Sequence, residues 1–402
     1  MADFEVKIRQ ISAINPIEGA DRIVAAKVDG YNVVVGIDQF QVGSWCVYIP
    51  EASLLPEWLV VRMGLEGRLA GKNKNRVKAI KLKGVLSQGL CYPIEIMSKS
   101  EEISINVAGG IDISTDNGGL FYTKIQGETG GYRLVVSDED VQDILGITKY
   151  EPPIPIELAG QVQALPNTRT LNGEPVGSLQ LHYDIENIKK YSDLFDGLDL
   201  PICITEKIHG TFMAIMALPN DDETYVSSKG LLNQGLCLKN NEDNKGNVYI
   251  RYSKSEEGQS IADFAHIVAD KNEMPVWILG ELFGVQDMKY GLAQGSVDFR
   301  IFDMKFGDKW LSFCDVDYLC KYYKFKTVPV LYVGEYNKET IELLTSGDEH
   351  VSGDTKHLRE GVVIRPFSDI LFHDKLHGGR IILKSVSEAY LLRKDKNATE
   401  FA

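Results

Sequence analysis

Three prolines in four positions, Pro152, Pro153 and Pro155, constrain the folding of this 402-residue chain more than any other feature. Proline locks φ and removes an amide donor. The stretch Lys149-Tyr150-Glu151-Pro152-Pro153-Ile154-Pro155 therefore suits neither a helix interior nor a central strand. It reads as the start of a linker over residues 151–177. A chain of this length ordinarily folds as two or three domains. The expected division is a domain over 1–150, the linker, and a domain over 178–402.

Before the prolines the pattern is that of β-structure. Apolar and polar residues alternate over Phe4 to Ile11, Ile23 to Val28, Tyr31 to Val35 and Ser44 to Ile49. Asp29-Gly30 supplies a turn, and Arg76 to Leu82 alternates basic with apolar residues. Gly119 to Val136 adds strand-like pieces between glycines, and Val141 to Leu145 reads as one helical turn. Short strands joined by glycine turns predict a small barrel of the OB type. Beyond the linker, strands and helices mix. Ile261, Phe264, Ala265 and Val268 recur at helical spacing within Ser255 to Lys271, and Asp315 to Tyr323 reads as a short capped helix. The expected fold class is α+β. The sequence shows no internal repeat and no low-complexity tract.

Net charge is −14, which argues against nucleic-acid binding on bulk charge. The field at a phosphate is local, however. Lys72, Lys74, Arg76, Lys78, Lys81 and Lys83 fall within twelve residues that hold no acid. Such a run suits phosphate contact or a solvated hairpin, and the residues alone favour neither. No apolar run reaches the roughly 20 residues of a membrane helix, so no membrane partner is expected. Met1-Ala2-Asp3-Phe4-Glu5 lacks the basic and apolar regions of a signal peptide, which predicts a cytoplasmic protein. The six cysteines include no Cys-x-x-Cys pair and are expected as reduced thiols.

The chemistry gathers around Glu206-Lys207-Ile208-His209-Gly210-Thr211, which follows the apolar run Ile202-Cys203-Ile204. Lys207, beside a glycine turn at a strand end, is the candidate nucleophile. It must lose a proton before attacking phosphorus, which a nearby cation would favour. Glu281, after Val276-Trp277-Ile278, and Glu360, before Val362-Val363-Ile364, offer two carboxylates at strand ends. Such a pair can hold Mg²⁺ directly or through its water shell. Phe302-Asp303 lies in a strand, where an aromatic face could stack on a purine or simply fill the core. Lys384 ends Ile381-Ile382-Leu383 and, if buried, needs an anionic partner such as phosphate. Ser227-Ser228-Lys229-Gly230 adds another cation beside a turn. His373-Asp374-Lys375-Leu376-His377 lacks the His-Glu-x-x-His form and reads as a loop. No Gly-x-x-x-x-Gly-Lys-Ser/Thr and no Gly-x-Ser-x-Gly occurs. Each residue taken singly is ordinary; their order along the chain is not.

That order resembles the RNA ligases of the covalent nucleotidyltransferase superfamily, over about Tyr183 to Leu391. Glu206 to Thr211 is similar to motif I of the phage-type double-stranded RNA ligases. Lys229 falls at motif Ia, Glu281 at motif III, Phe302 and Asp303 at motif IIIa, Glu360 at motif IV and Lys384 at motif V. The N-terminal part, with Gly36, Gln39-Phe40, Val42-Gly43 and Tyr48-Ile49-Pro50-Glu51, resembles the nick-sealing RNA ligases of the Deinococcus type, which carry an OB domain in front. The resemblance implies ATP as substrate and Mg²⁺ as cofactor, with Mn²⁺ able to substitute. It implies catalytic roles for Lys207, Glu281, Glu360 and Lys384, with the metal at Glu281 and Glu360 through water. It implies nucleotide contacts from Glu206, His209, Gly210, Lys229, Phe302, Asp303 and Val363, and RNA contacts from Lys72 to Lys83. The implied partner is a nicked RNA duplex and the implied state a monomer.

Two departures stand out. A second motif V lysine is missing, which leaves Arg365 or Arg380 to replace it, and Lys229 stands where arginine is usual. Only 18 residues follow Lys384 (402 − 384), too few for the trailing OB domain of DNA ligases and capping enzymes. Those enzymes, and a non-catalytic RNA-binding protein on a decayed ligase fold, are the alternatives.

Overall fold

The computed structural model describes residues 4–96, 123–126, 132–135, 138–151, 158–169, 175–354, 357–376 and 378–393. The chain forms two compact units. One is Asp3–Glu151 and the other runs from Pro152 onward.

In the first unit, Lys7–Gln10, Trp45–Ile49 and Leu90–Pro93 form one antiparallel sheet, and Ala13–Pro16, Ile23–Val28 and Tyr31–Gly36 form a second. Asp29 and Gly30 both take positive φ, +47° and +79°, and Val28 pairs with Tyr31. This is the backbone of a two-residue hairpin turn whose twist matches its strands. Alternation then buries Tyr31, Val33 and Val35 on one face. Val6, Ile8, Val47, Ile49, Leu55 and Leu59 make a separate apolar cluster, to which the unanticipated helix Glu57–Arg62 contributes Leu59 and Val60. The helical turn Gln142–Leu145 ends on Gly146 at φ +64°. Within Gly119 to Val136, Thr123–Gln126 and Tyr132–Val135 pair antiparallel, and the rest lies outside the described residues.

The basic run ends in a hairpin. Only Ile80–Leu82 is strand, paired with Val85–Ser87 through a turn at Lys83 and Gly84, both at positive φ. Val77 is buried, and Arg76 lies 4.2 Å over the Tyr150 ring. Arg76 is thus part of the packing, and Lys78 is half-buried, whereas Lys72, Lys74, Lys81 and Lys83 are exposed.

Among its described residues the second unit holds a two-stranded sheet, Asn167–Arg169 with Pro175–Ser178, and two main sheets. The larger has seven antiparallel strands: Val162–Ala164, Leu236–Leu238, Tyr225–Ser228, Thr211–Ala217, Val276–Phe283, Asp298–Phe306 and Lys309–Trp310, in that spatial order. The smaller has five: Glu186–Asn187, Leu383–Val386, Gly361–Pro366, Ile202–Lys207 and Val330–Gly334. Its first pair is parallel, and the others are antiparallel. Helix Glu256–Asn272 buries Ile261, Phe264 and Ala265 in the core of the larger sheet, and Ser255 caps it by accepting from the Gly258 amide. Helix Phe313–Tyr323 begins earlier than expected because Ser312, not a later residue, supplies the cap.

The linker expectation needs a correction. Residues 152–157 and 170–174 lie outside the described residues. Between them, however, Val162–Ala164 is an edge strand of the larger sheet, and the Gln161 amide donates to Asn244 Oδ1 at 2.8 Å. Ordered structure therefore begins by Leu158, not at 178. Pairing with Leu236–Leu238 satisfies backbone groups that a short polar sequence does not advertise.

Candidate active site

The two main sheets of the second unit flank a cavity of about 500 Å³, within the range of small-ligand sites. Register explains its floor. Lys207 pairs with Gly361, Thr205 with Val363 and Cys203 with Arg365, and Val363 pairs onward with Lys384. Alternation along the strands turns Thr205, Lys207, Val363, Arg365 and Lys384 to one face, where all line the cavity. A Cβ on Gly361 would lie 2.1 Å from the Ser385 carbonyl oxygen, so glycine is required where Lys207 leaves its strand.

The opposite wall comes from the larger sheet. Phe212 and Glu281 are directly paired, and both face the cavity. A register shift between Leu279 and Gly280 makes Phe302 the unpaired residue of a bulge, a device that re-aims a side chain. Phe302 thereby joins Tyr183, at 5.4 Å between ring centroids, and Phe212, at 5.8 Å, in an aromatic wall. A Cβ on Gly210 would sit 2.4 Å from the Leu282 carbonyl oxygen and 2.9 Å from Glu281 Cγ, so the turn after Lys207 packs against Glu281 with nothing between.

Electrostatics concentrates on four groups. Lys207 Nζ donates to Glu360 Oε1 at 2.5 Å. Burial disfavours the ammonium, but Glu360 and Glu281 together hold its pKa above the ordinary value. Glu281 is pushed up to about 8, chiefly by burial; Lys207 opposes the shift and the neighbouring Glu360 adds to it. Lys384 is pushed down to about 8 by burial, with Lys207 and Lys229 adding repulsion. Lys229 pairs with Asp184 at 2.9 Å. The cavity therefore presents a lysine flanked by two carboxylates, and a second buried lysine short of negative charge.

Several expected contacts lie elsewhere. Glu206 borders the cavity, but alternation turns its carboxylate away from Lys207, and Oε2 accepts from the His350 amide at 2.7 Å. Burial pushes that carboxyl up to about 7. His209 does not line the cavity; its ring lies between Asp287 and Tyr390. Asp303 is fully buried beneath the wall, accepting from Arg380 at 2.7 Å and from the Tyr183 hydroxyl at 2.8 Å. It holds the wall in place and is not part of it. Arg380 is spent on Asp303 and lies 3.5 Å over the Trp310 ring, whereas Arg365 lines the cavity. Of the two candidates for a second motif V cation, only Arg365 lines the cavity, and its guanidinium is itself engaged, donating to the Phe302 carbonyl at 2.8 Å and lying 3.5 Å from Asp303. Sequence reasoning missed Tyr183, Asp184, Thr205, Phe212 and Tyr249. Among these, only Thr205 and Phe212, which flank motif I directly, carried a positional hint.

The fold is a domain of two main sheets around a lysine-bearing cavity, preceded in the chain by a β-rich domain. Residues 200–386 match the RNA ligase family model and residues 5–94 match an OB-fold domain model. Residues 200–386 are thus similar to an RNA ligase domain and residues 5–94, earlier in the chain, to an OB-fold domain. Among solved structures, the Naegleria gruberi RNA ligase with pyrophosphate aligns at a TM-score of 0.67 and 22% identity, over 97% of this chain and 98% of that one. A lysine-to-alanine variant of that ligase with ATP and Mn gives 0.67 and 22%, over 96% and 97%. A lysine-to-methionine variant with AMP and Mn gives 0.68 and 21%, over 97% and 98%. No curated protein matches the chain.

Proposed function

We propose that this chain is an ATP-dependent ligase that seals 3′-hydroxyl/5′-phosphate nicks in duplex RNA through lysyl-AMP and adenylylated RNA. The observation that carries the reading is Lys207 Nζ, 2.5 Å from Glu360, opening into a nucleotide-sized cavity with Lys384 on the same face of the sheet. ATP and Mn in the Naegleria ligase structures support the choice of nucleotide and metal.

Among the described residues no group of three or more His, Cys, Asp or Glu side chains could hold a metal on its own. Mg²⁺ commonly uses one or two carboxylates, with water and substrate phosphate completing its shell. Glu281 and Glu360 fit that donor set, since burial beside a second carboxylate leaves Glu281 in want of a cation. When bound, Mg²⁺ or Mn²⁺ supplies positive charge that favours the neutral Lys207 amine and offsets phosphate charge.

In the first step the Lys207 amine, having lost its proton, attacks the α-phosphorus of ATP. A P–N bond forms and pyrophosphate leaves. The RNA 5′-phosphate then displaces Lys207 and takes the AMP. Attack by the 3′-hydroxyl on that activated phosphate forms the phosphodiester, loses a proton and releases AMP. The chain's contribution is positioning and charge. Phe302, Tyr183 and Val363 hold the purine, Lys229 with Asp184 lies toward the ribose, and Lys384 with Arg365 faces the phosphates.

A pH dependence follows from Lys384, whose pKa is pushed down to about 8. The ammonium that attracts triphosphate is present below that value and lost above it. ATP affinity, measured by calorimetry, should fall as pH rises through about 8 and lose that limb in Lys384→Met. An identical pH profile in the variant contradicts the assignment.

For RNA contact, the exposed Lys72, Lys74, Lys81 and Lys83 are the relevant cations, because Arg76 is committed to Tyr150. Changing all four to Gln should weaken nick binding and reduce the log–log salt slope by up to about 0.9 for each phosphate no longer neutralised. Adenylylation of Lys207 should be unaffected. An unchanged slope identifies this segment as a solvated hairpin. The test of the whole reading is incubation with ATP labelled at the α-phosphate: a binding module on a decayed fold acquires no covalent AMP.

A further inference from the structure

Below the active-site turn, three separated chain segments meet at one buried imidazole. His209 Nε2 lies 2.7 Å from Asp287 Oδ1, with the two side chains 2% and 3% exposed. Asp287 Oδ2 accepts from Arg393 Nε at 3.1 Å. The other imidazole nitrogen, Nδ1, lies 2.9 Å from the Tyr390 hydroxyl, and the Arg393 guanidinium lies 3.8 Å over the Tyr390 ring. The His209 backbone amide donates to the Tyr290 hydroxyl at 2.7 Å. Tyr390 and Arg393 belong to the segment after Lys384, and Asp287 and Tyr290 to the loop between Val276–Phe283 and Asp298–Phe306.

The donor arithmetic sets the tautomer. Burial disfavours charge on Asp287, but hydrogen bonds from His209 and Arg393 hold its pKa well below the ordinary carboxylate range, so it accepts only. Nε2 must then carry the proton. In the neutral imidazole Nδ1 then keeps its lone pair and accepts from the Tyr390 hydroxyl. The same Nδ1 is 3.9 Å from Glu360 Oε2. With its lone pair on that side, the imidazole cannot donate to Glu360, and the carboxylate stays committed to Lys207 through Oε1. A neutral amide at position 287 could donate to Nε2 and move the proton to Nδ1, where it would compete with Lys207 for Glu360. An orienting carboxylate behind a histidine acts in this way in hydrolytic triads.

We propose that Asp287 is a positioning residue for lysine adenylylation: it fixes the tautomer and orientation of His209, and Arg393 and Tyr390 make the segment after Lys384 part of that support. The inference rests on the ligase reading above and adds a residue to it.

The experiment uses the full chain and single-turnover labelling by ATP carrying label at the α-phosphate, beside sealing of a pre-adenylylated RNA nick. Asp287→Asn should lower the adenylylation rate at saturating ATP by about tenfold or more. The ATP concentration for half-maximal rate should change by less than about threefold, and sealing of the pre-adenylylated nick should change little. Asp287→Glu should recover part of the rate. Arg393→Gln, which removes one of the two donors, should give a smaller loss and serves if Asp287→Asn does not fold. Equal loss in both steps, or a loss confined to ATP affinity, makes the cluster merely structural and overturns the proposal. So does full activity in both variants. Failure of the unmodified protein to label overturns the ligase reading and this inference with it; normal labelling in the unmodified protein and in Asp287→Asn overturns this inference alone.

Discussion

Lys207→Ala is expected to take up no covalent AMP, a loss of about 10³-fold or more in the adenylylation rate. The remaining amines of the cavity are badly placed to replace it. Lys384 sits on the next strand but one from Lys207, and Lys229 is paired to Asp184 at 2.9 Å. Neither occupies the position from which Lys207 meets Glu360. Sealing of a nick that already carries AMP on its 5′-phosphate should survive in part, because that step forms no bond to Lys207. Lys207→Arg should be as inactive as Lys207→Ala in labelling, since a guanidinium keeps its proton and cannot attack. ATP-dependent labelling that persists in Lys207→Ala excludes the assignment.

The two carboxylates give the second large effect. Glu281→Ala and Glu360→Ala should each lose about 10²-fold in adenylylation, as expected when groups that organise charge around a transition state are removed. Glu360 touches Lys207 directly, and Glu281 acts on the same charge. Removal of Glu360 also leaves the Lys207 ammonium with less support, which by itself favours the neutral nucleophile. A net loss would therefore show that cation binding outweighs amine activation. Glu342→Ala, on the exposed side of helix Lys338–Thr345, is the control and should stay within about twofold. Equal activity in all three variants removes the carboxylate pair from the mechanism.

Much of the site was legible because its residues stand in or beside strands in a fixed order. Lys207 ends its strand and Glu360 stands just before one, whereas Glu281 and Lys384 lie inside theirs, Lys384 near the start of a strand and not at the end of one as expected; strand pairing brings the four together. Direction within a strand was less legible. Glu206 neighbours Lys207 in sequence but faces the other side, since alternation separates adjacent residues by the thickness of the sheet. Asp303 follows the cavity residue Phe302 and is buried for the same reason, just beyond a bulge that no local pattern announces. His209 sits inside the signature, yet its partners Asp287, Tyr390 and Arg393 lie 78 to 184 residues away. Partners so distant leave no periodicity to read. Tyr183 and Asp184 come from an irregular segment whose place is set by tertiary contacts with Asp303 and Lys229.

In the first unit the hairpin at Asp29-Gly30 was readable from turn chemistry, and the strand ends differ from expectation by only a few residues. The basic run alternates over Arg76 to Leu82 without forming one continuous strand. Its apolar members divide instead between a buried loop residue, Val77, and an exposed hairpin strand, Ile80–Leu82. Likewise, the short edge strand Val162–Ala164 has too few residues for a periodic signal and lies close to prolines that suggested a loose linker.

The most direct measurement is sealing of an RNA duplex that carries one 3′-hydroxyl/5′-phosphate nick, end-labelled at the 5′-phosphate, with ATP and Mg²⁺. The account predicts a full-length strand resistant to phosphatase and a transient adenylylated strand one nucleotide heavier, both absent without ATP and both absent with Lys207→Ala. Lysyl-AMP formation without any sealed RNA would contradict the proposed reaction, and so would sealing that proceeds without Lys207.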